Sequence, residues 1–494
     1  MTAFGALLPT ILLTAGLLAV LFADVFAKGR RPLLLPWISG TALTAVAVLA
    51  LSWLAGDRGS DRVWFAALRM DRFAIVMTAF CSVAGLVSIL ATMVGEGDRR
   101  PGGEFHALVL AAVVGMAALS AAVDLVTLYL SFELVSITGY VLVGMRRSDR
   151  LANEASLKYV LFGAVSSGLM LYGLSLLVGL SGGTSLEALR VAVAAGASSQ
   201  PVFVAACVLV FAGFAFKISA VPFQFWAPDV YQGAPAAVAG FLAVASKAAG
   251  FASLVRVVAS LGAVPGVGES TASVLPMNTP MAAILAISAV LSMTVGNLAA
   301  CRQNDLKRLL AYSSIAHAGY MLMALAIWSA TGLSALVFYL VVYLFMNLAA
   351  FLLAGVVIRS TGSSSLESLR GLGFKNPWLA AAFTLVMLSL TGIPPLLGFL
   401  GKLVLFEAVI RSGYVWFAVI GLLNGAISLY YYAKPLMKMY LEDQDAGAAE
   451  PVRMGAGAIV LTCVLVLPVV AFFLYWSPLS TWARDVVPHV GLGS

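Results

Sequence analysis

Fourteen apolar stretches, most of them near the ~20 residues of one membrane crossing and the seventh and twelfth longer, set the limits on what this chain can become. They fall at residues 5–27, 33–55, 72–94, 106–123, 125–145, 156–180, 201–231, 236–261, 279–300, 306–328, 332–358, 378–410, 415–437 and 456–476. Each run is continuous, whereas the strands of a membrane barrel would alternate apolar and polar residues. Only 10% of the 494 residues are charged, far below the ~25% of a soluble domain. The expected fold is an all-α polytopic membrane protein with about 14 transmembrane helices.

The net charge of +7 is not a nucleic-acid signal here, because Lys and Arg gather in short loops, mainly after odd-numbered spans. That bias puts those loops in the cytoplasm and both termini on the opposite side. The first run, Leu7 to Val25, has no basic stretch before it and no small-residue cleavage pattern after it, so it reads as a transmembrane helix and not a signal peptide. Four scattered cysteines (Cys81, Cys207, Cys301, Cys463) fit neither a disulfide framework nor a zinc or iron–sulfur site. Three histidines (His106, His317, His489) argue against a haem core. The glycines of 262–268 follow no strand and lack a following Lys-Ser pair, so no phosphate cradle is expected.

The stretch from Phe214 to Ala248 breaks the apolar rule. It holds Lys217, Lys247, Asp229 and three prolines, Pro222, Pro228 and Pro235. A bilayer tolerates such a segment only where the helix is interrupted and its polar groups face protein or water. A second interruption, LTGIPPLLGFLGKLVLFEA from Leu390, lies five spans later. Two broken helices at matching positions mark inverted repeats of the kind found in ion transporters.

The ionisable residues expected inside the membrane are Glu133, Lys158, Lys217, Asp229, Lys247, Lys402 and Glu407, with His317 beside them. Each costs several kcal/mol if left unpaired, roughly 3 by insertion scales. Glu133 is nine residues past Asp124, so it lies ~13 Å along its helix, near the middle. Its partner is expected to be Lys217 or Lys158, forming a unit whose proton affinity changes with their separation. Glu154, one turn before Lys158, is a second partner for that lysine. Lys247 lies deep in its span among small residues that leave room for water. Ser313, His317 and Tyr320 share one helix face, where a histidine can relay protons. Lys402 follows the second break beside Gly398 and Gly401. Asp229 either caps the second half-helix or faces an exit. Arg302, Asp305, Lys307 and Arg308 are expected to anchor a helix start at the cytoplasmic surface. The pattern suits proton translocation better than metal chemistry or hydrolysis, because no histidine–cysteine cluster and no nucleophile–base–orienter set is present.

The segments LYLSFELVSITGY (128–140), NEASLKYVLFGAVSSGLMLYG (153–173), FKISAVPFQFWAPDVYQGAPAAVAGFLAVASKAAGF (216–251), GNLAACRQNDLKRLLAYSSIAHAGYM (296–321) and SLTGIPPLLGFLGKLVLF (389–406) carry a family resemblance across nearly the whole chain. The sequence resembles the subunit N family of bacterial respiratory complex I, the proton-pumping NADH–quinone oxidoreductase. The resemblance implies an antiporter-like subunit with two inverted five-helix repeats. These would be residues 105–262 (spans 4–8) and 279–437 (spans 9–13), after three helices in 1–104 and before a last helix and tail in 438–494. It implies Glu133 and Lys217 as an acid–lysine pair, Lys247 as the central lysine and Lys402 as the lysine of the second half. It also implies proton transport across the bacterial inner membrane, with both termini periplasmic, coupled to quinone reduction elsewhere in the complex. NADH, FMN, iron–sulfur clusters and quinone would be held by other subunits, and this chain would hold no cofactor or metal. The implied partners are other membrane subunits, including another antiporter-like subunit and small membrane-arm subunits, with lipid and no nucleic acid. Close relatives often have histidine in the PFQFW segment, where this chain has Gln224, which cannot titrate. The alternative is the membrane subunit of a multisubunit sodium–proton antiporter. Those proteins look like AHAPDAH where this chain has Trp226 and Tyr231.

Overall fold

The computed structural model describes residues 3–26, 34–56, 63–95, 102–261, 279–442 and 454–487. Expectations about the 262–278 loop, most of the 442–453 loop, His489 and the side on which the termini lie fall outside those residues. The chain begins with α1 (Ala3–Phe26), α2 (Leu34–Ala55), a hairpin of β1 (Val63–Trp64) and β2 (Leu68–Arg69), and α3 (Arg72–Gly95). Then come α4 (Gly103–Ala121), α5 (Leu125–Val143), α6 (Arg150–Ser181), α7 (Leu186–Ala194), α8 (Pro201–Ile218), α9 (Trp226–Gly233), α10 (Ala236–Phe241) and α11 (Lys247–Leu261). The second half holds α12 (Pro280–Ala300), α13 (Leu306–Ala326), α14 (Ala330–Thr361), α15 (Leu372–Lys375), α16 (Pro377–Thr391), α17 (Leu397–Arg411) and α18 (Val415–Tyr440). The chain closes with α19 (Ala456–Leu474) and α20 (Ser477–Val486). Among the described residues, thirteen helices are long and apolar enough to cross a membrane, and the shorter α16 continues past a break into α17.

The two halves repeat in detail. Asp124 caps α5 and bridges to Ser185, and Asp305 caps α13 and bridges to Ser365. Each bridge has the same pair of backbone bonds: Leu125 N to Thr184 O and Leu186 N to Val123 O, then Leu306 N to Ser364 O and Leu366 N to Asn304 O. α6 and α14 each have 32 residues and end at a left-handed glycine, Gly182 and Gly362. α8 ends at left-handed Ser219 before Pro222, and α16 ends at left-handed Gly392 before Pro394 and Pro395. Each unit crosses an odd number of times, five, so the second copy enters from the opposite face.

Proline and backbone chemistry explain the breaks. A proline inside a helix removes a donor and clashes with the preceding turn. At the first break the freed groups find partners on α12: Val221 N donates to Ser292 Oγ at 2.9 Å, and Ser288 Oγ donates to Val221 O at 2.6 Å. The Trp226 indole donates to Phe216 O at 3.1 Å, holding α9 against α8 across the gap. α12 and α13 pack backbone to backbone. A Cβ at Gly319 would lie 2.6 Å from Met293 N, and one at Gly296 would lie 2.7 Å from Ala316 N. Small residues permit this approach where no hydrophobic force draws helices together.

Three sequence expectations change. The segments 181–199 and 360–377, read as loops, contain α7 and, in the second half, a 3-10 turn (Leu366–Leu369) followed by α15. α6 begins at Arg150 and not near residue 156. Its 32 residues span ~48 Å against a ~30 Å hydrocarbon core, so its ends extend beyond the apolar layer. A short β hairpin is present in an otherwise helical protein.

Candidate functional site

The span formed by α10, a wide π turn (Leu242–Ser246) and α11 is buried along nearly its whole length. Wide turns of this kind are often found at functional positions. Lys247 follows it directly and is buried. Its Nζ donates to Ser314 O at 2.7 Å and meets Ser314 Oγ at 2.8 Å, both on α13. Ser314 Oγ in turn meets the Tyr343 hydroxyl of α14 at 2.7 Å.

Lys217 occupies the last turn of α8, with its Nζ 2.6 Å from Ser136 Oγ and 3.3 Å from Phe132 O on α5. The Phe132 ring centroid is 4.3 Å away. Lys402, on α17, donates to Thr391 O at 2.6 Å, a carbonyl at the C-terminal end of α16, and lies 5.1 Å from the Tyr320 ring centroid. The negative end of a half-helix dipole therefore faces the Lys402 ammonium, whereas Lys217 rides on the last turn of its own half-helix and its Nζ reaches the middle of α5. Gly250 sets the Lys217 stem beside the Lys247 helix: a Cβ there would meet Lys217 Cγ at 3.0 Å.

His317 lies between the central and distal lysines. Its Nδ1 is 2.7 Å from the Tyr339 hydroxyl and its Nε2 is 3.2 Å from the Tyr432 hydroxyl. Ser313 shares the Tyr432 hydroxyl, so the helix face read from sequence is the one in use. Tyr320 and Tyr343 flank the imidazole at 6.2 and 5.4 Å between centroids. Lys217, Lys247, His317 and Lys402 are all buried, and serine, tyrosine or backbone oxygens hold each of them.

Other sequence-derived residues fall elsewhere. Glu133 is half-buried with one carboxylate oxygen unpaired, and neither Lys217 nor Lys158 forms an ion pair with it. The expected Glu133–lysine pair is therefore not a contact ion pair, although the Glu133 charge acts on the Lys217 ammonium through space. Lys158 points outward, with its side chain 38% exposed, and pairs with Glu154 at 2.8 Å and Asp229 at 2.6 Å. Its place is two turns into a helix that overshoots the bilayer, which accounts for the exposure. Glu407 is not buried: its side chain is 51% exposed and pairs with Arg411 at 2.7 Å. Asp229 is a junction, taking Lys158 on one oxygen and Arg308, at 2.5 Å, on the other. Gln232 joins the same group, accepting from Arg308 at 3.0 Å and donating to Asp305 at 3.3 Å. Gln224 is buried with its Oε1 unpaired.

Several participants carried no charge signal in the sequence: Ser136, Ser314, Tyr339, Tyr343 and Tyr432. The repeat offers one signal. Ser314 follows Asp305 by nine residues, as Glu133 follows Asp124, so a serine holds in the second half the position of the first half's acid. Also unnoticed was Arg256, nine residues beyond Lys247, which forms a fully buried pair with Asp71 at 2.8 Å. Among the described residues, no group of His, Cys, Asp or Glu is arranged to hold a metal ion.

Residues 122–428 match the family described as NADH:quinone oxidoreductase/Mrp antiporter, TM. The NADH-quinone oxidoreductase subunit N of Chlorobium chlorochromatii is 41% identical, over 99% of this chain and 95% of its own. The chain belongs to the subunit N family. The subunit N of an Anaeromyxobacter species is 40% identical, over 96% of this chain and 95% of its own. A chain of respiratory complex I from Thermus thermophilus superposes with a TM-score of 0.77 at 32% identity, covering 96% of this chain and 99% of that one. A chain of the Mrp complex from a Dietzia species superposes with a TM-score of 0.85 over the full length of both, at 21% identity, a likeness of fold alone. Membership of the subunit N family agrees with the multi-pass architecture and with the pair of broken helices.

Proposed function

We propose that this protein is a membrane-arm subunit of a bacterial NADH–quinone oxidoreductase and moves protons across the inner membrane, coupled to quinone reduction in other subunits. Proton translocation by its own residues rests on one observation above all. Lys217, Lys247 and Lys402 are buried, and each is held by hydroxyl or carbonyl oxygens with no carboxylate ion pair among the described residues. An ammonium group without a fixed counter-charge can gain and lose its proton with small changes around it. In this reading Lys217 takes a proton when the half-buried Glu133 approaches, Lys247 receives it at the centre, and His317 with its tyrosines passes it toward Lys402. Lys158 acts from outside the line, by holding Asp229. Flavin, iron–sulfur clusters, nicotinamide and quinone belong to neighbouring subunits in this proposal, and both termini face the periplasm. The antiporter reading is weaker, because the Mrp chain shares only the fold, at 21% identity.

The test is proton pumping and NADH–quinone activity in membranes carrying Lys247→Ala, with assembly followed in parallel. Loss of both activities in an assembled complex is the expected result. Normal pumping in an assembled complex would remove Lys247 from the path and overturn the proposal.

A further inference from the structure

A small cavity, about 110 Å³ in volume, opens between the β1–β2 hairpin, α7 and α11. That is room for roughly three waters, or for one tetrahedral oxyanion with a water. Three arginines from three parts of the chain line it: Arg69 of β2, Arg190 of α7 and Arg256 of α11. None of them takes part in the proton path.

Two of the three charges are matched. Arg256 is buried, and Ser120 O at 2.6 Å and Asp71 Oδ1 at 2.8 Å take two of its five N–H donors. Arg190 is bonded twice to Glu187, at 2.6 and 2.9 Å, so this lining carboxylate is turned to a partner of its own. Against Asp71 and Glu187, the three arginines leave one positive charge in excess. The Arg69 Nε is shielded from solvent and has no hydrogen-bond partner. A buried donor left unpaired is costly and rare.

The backbone adds to this field. Ser185 caps α7, and Ser185, Leu186 and Glu187 form one wall of the cavity. A helix start carries partial positive charge and suits an anion. The charge pattern of the chain points the same way. The loop before α3 follows an even-numbered span, yet it holds Arg58, Arg62 and Arg69, against the bias that orients the other loops. At the rim, exposed Val63 leads into Trp64 and Phe65, and Phe65 is 72% exposed at the hairpin turn. Basic pockets between membrane helices, beside exposed apolar side chains, suit lipid headgroups.

We propose that this cavity binds a phosphate group, presented by an anionic phospholipid headgroup or by free inorganic phosphate. Arg69 Nε donates to it the hydrogen bond that it otherwise lacks, and Arg256 and the start of α7 complete the cradle. A planar guanidinium matches phosphate oxygens well. The bound group ties the hairpin and α7 to α11. This inference stands on the cavity and is independent of how the lysines are read.

The experiment follows hydrogen–deuterium exchange in the assembled complex, solubilised in detergent and stripped of phospholipid, for peptides covering residues 63–72 and 185–195. The probes are inorganic phosphate and a short-chain phosphatidylglycerol, each compared with chloride at equal ionic strength. The expected result is exchange slowed about tenfold in both peptides at a probe concentration about ten times its Kd, with no such slowing in Arg69→Gln. Slowing by phosphatidylglycerol alone supports a lipid headgroup as the source, slowing by inorganic phosphate alone supports the free ion, and slowing by both shows that the phosphate group suffices. No slowing by either probe overturns the inference, and so does equal slowing in Arg69→Gln. Should Arg69→Gln fail to assemble, Arg190→Gln decides, and undiminished slowing there overturns the inference.

Discussion

Asp229 on α9 accepts a 2.5 Å hydrogen bond from Arg308 on α13, joining the broken helix of the first repeat to a helix of the second. Its other oxygen takes Lys158 of α6 at 2.6 Å. One carboxylate thus sets the position of α9, and with it Tyr231, relative to both halves.

Asp229→Asn is expected to assemble and to pump several-fold more slowly. The side chains in this group are 27–38% exposed, so each pair contributes no more than ~1 kcal/mol to stability after screening. The larger effect is the loosened placement of α9. Lys158→Met is expected to do less, because Arg308 still holds Asp229. Pumping rates in vesicles at low and high salt check both, and the wild-type protein should be the more salt-sensitive.

Ser314→Ala removes one of two oxygens from Lys247 and leaves the Ser314 carbonyl at 2.7 Å. A hydrogen bond to a charged group contributes ~1.5–3 kcal/mol. The expected outcome is a fall in pumping of about tenfold, with activity remaining above that of Lys247→Ala. Initial rates of NADH-driven acidification measure the difference.

Gly398→Ala is expected to prevent assembly. A Cβ at this position would lie 1.8 Å from Ser389 O, a backbone atom that cannot swing aside. Gly392→Ala is milder. Its φ of +86° penalises a side chain by ~1–2 kcal/mol, and the new methyl would press on Lys402 Cδ at 2.9 Å. That variant should assemble with reduced pumping. Native gels and pumping assays separate the two outcomes.

Asp71→Ala is expected to lower thermal stability sharply. It leaves the Arg256 guanidinium buried without its counter-charge, a cost of ~3–5 kcal/mol. It also removes the cap on α3, where Ala74 N donates to Asp71 Oδ1 at 2.8 Å. Thermal unfolding of the detergent-solubilised complex measures the loss.

The sequence alone determined that the chain crosses a membrane many times and where two of its helices break. Apolar runs near 20 residues and prolines at Pro222, Pro394 and Pro395 have few other solutions in a bilayer. It also pointed to Lys217, Lys247 and Lys402, because a buried lysine is too costly to keep without surroundings built for it. The helix face of Ser313 and His317 was legible for the same local reason, the 3.6-residue period. Only the tertiary structure decided the partners. Ser136 and Lys217 are 81 residues apart, Ser314 and Lys247 67 apart, and Asp71 and Arg256 185 apart. Nothing local in the chain encodes such pairings. The exposure of Lys158 and Glu407 was hidden for a related reason. In a membrane protein the core-facing and lipid-facing sides of a helix are equally apolar, so the pattern that separates inside from outside in a soluble protein is absent.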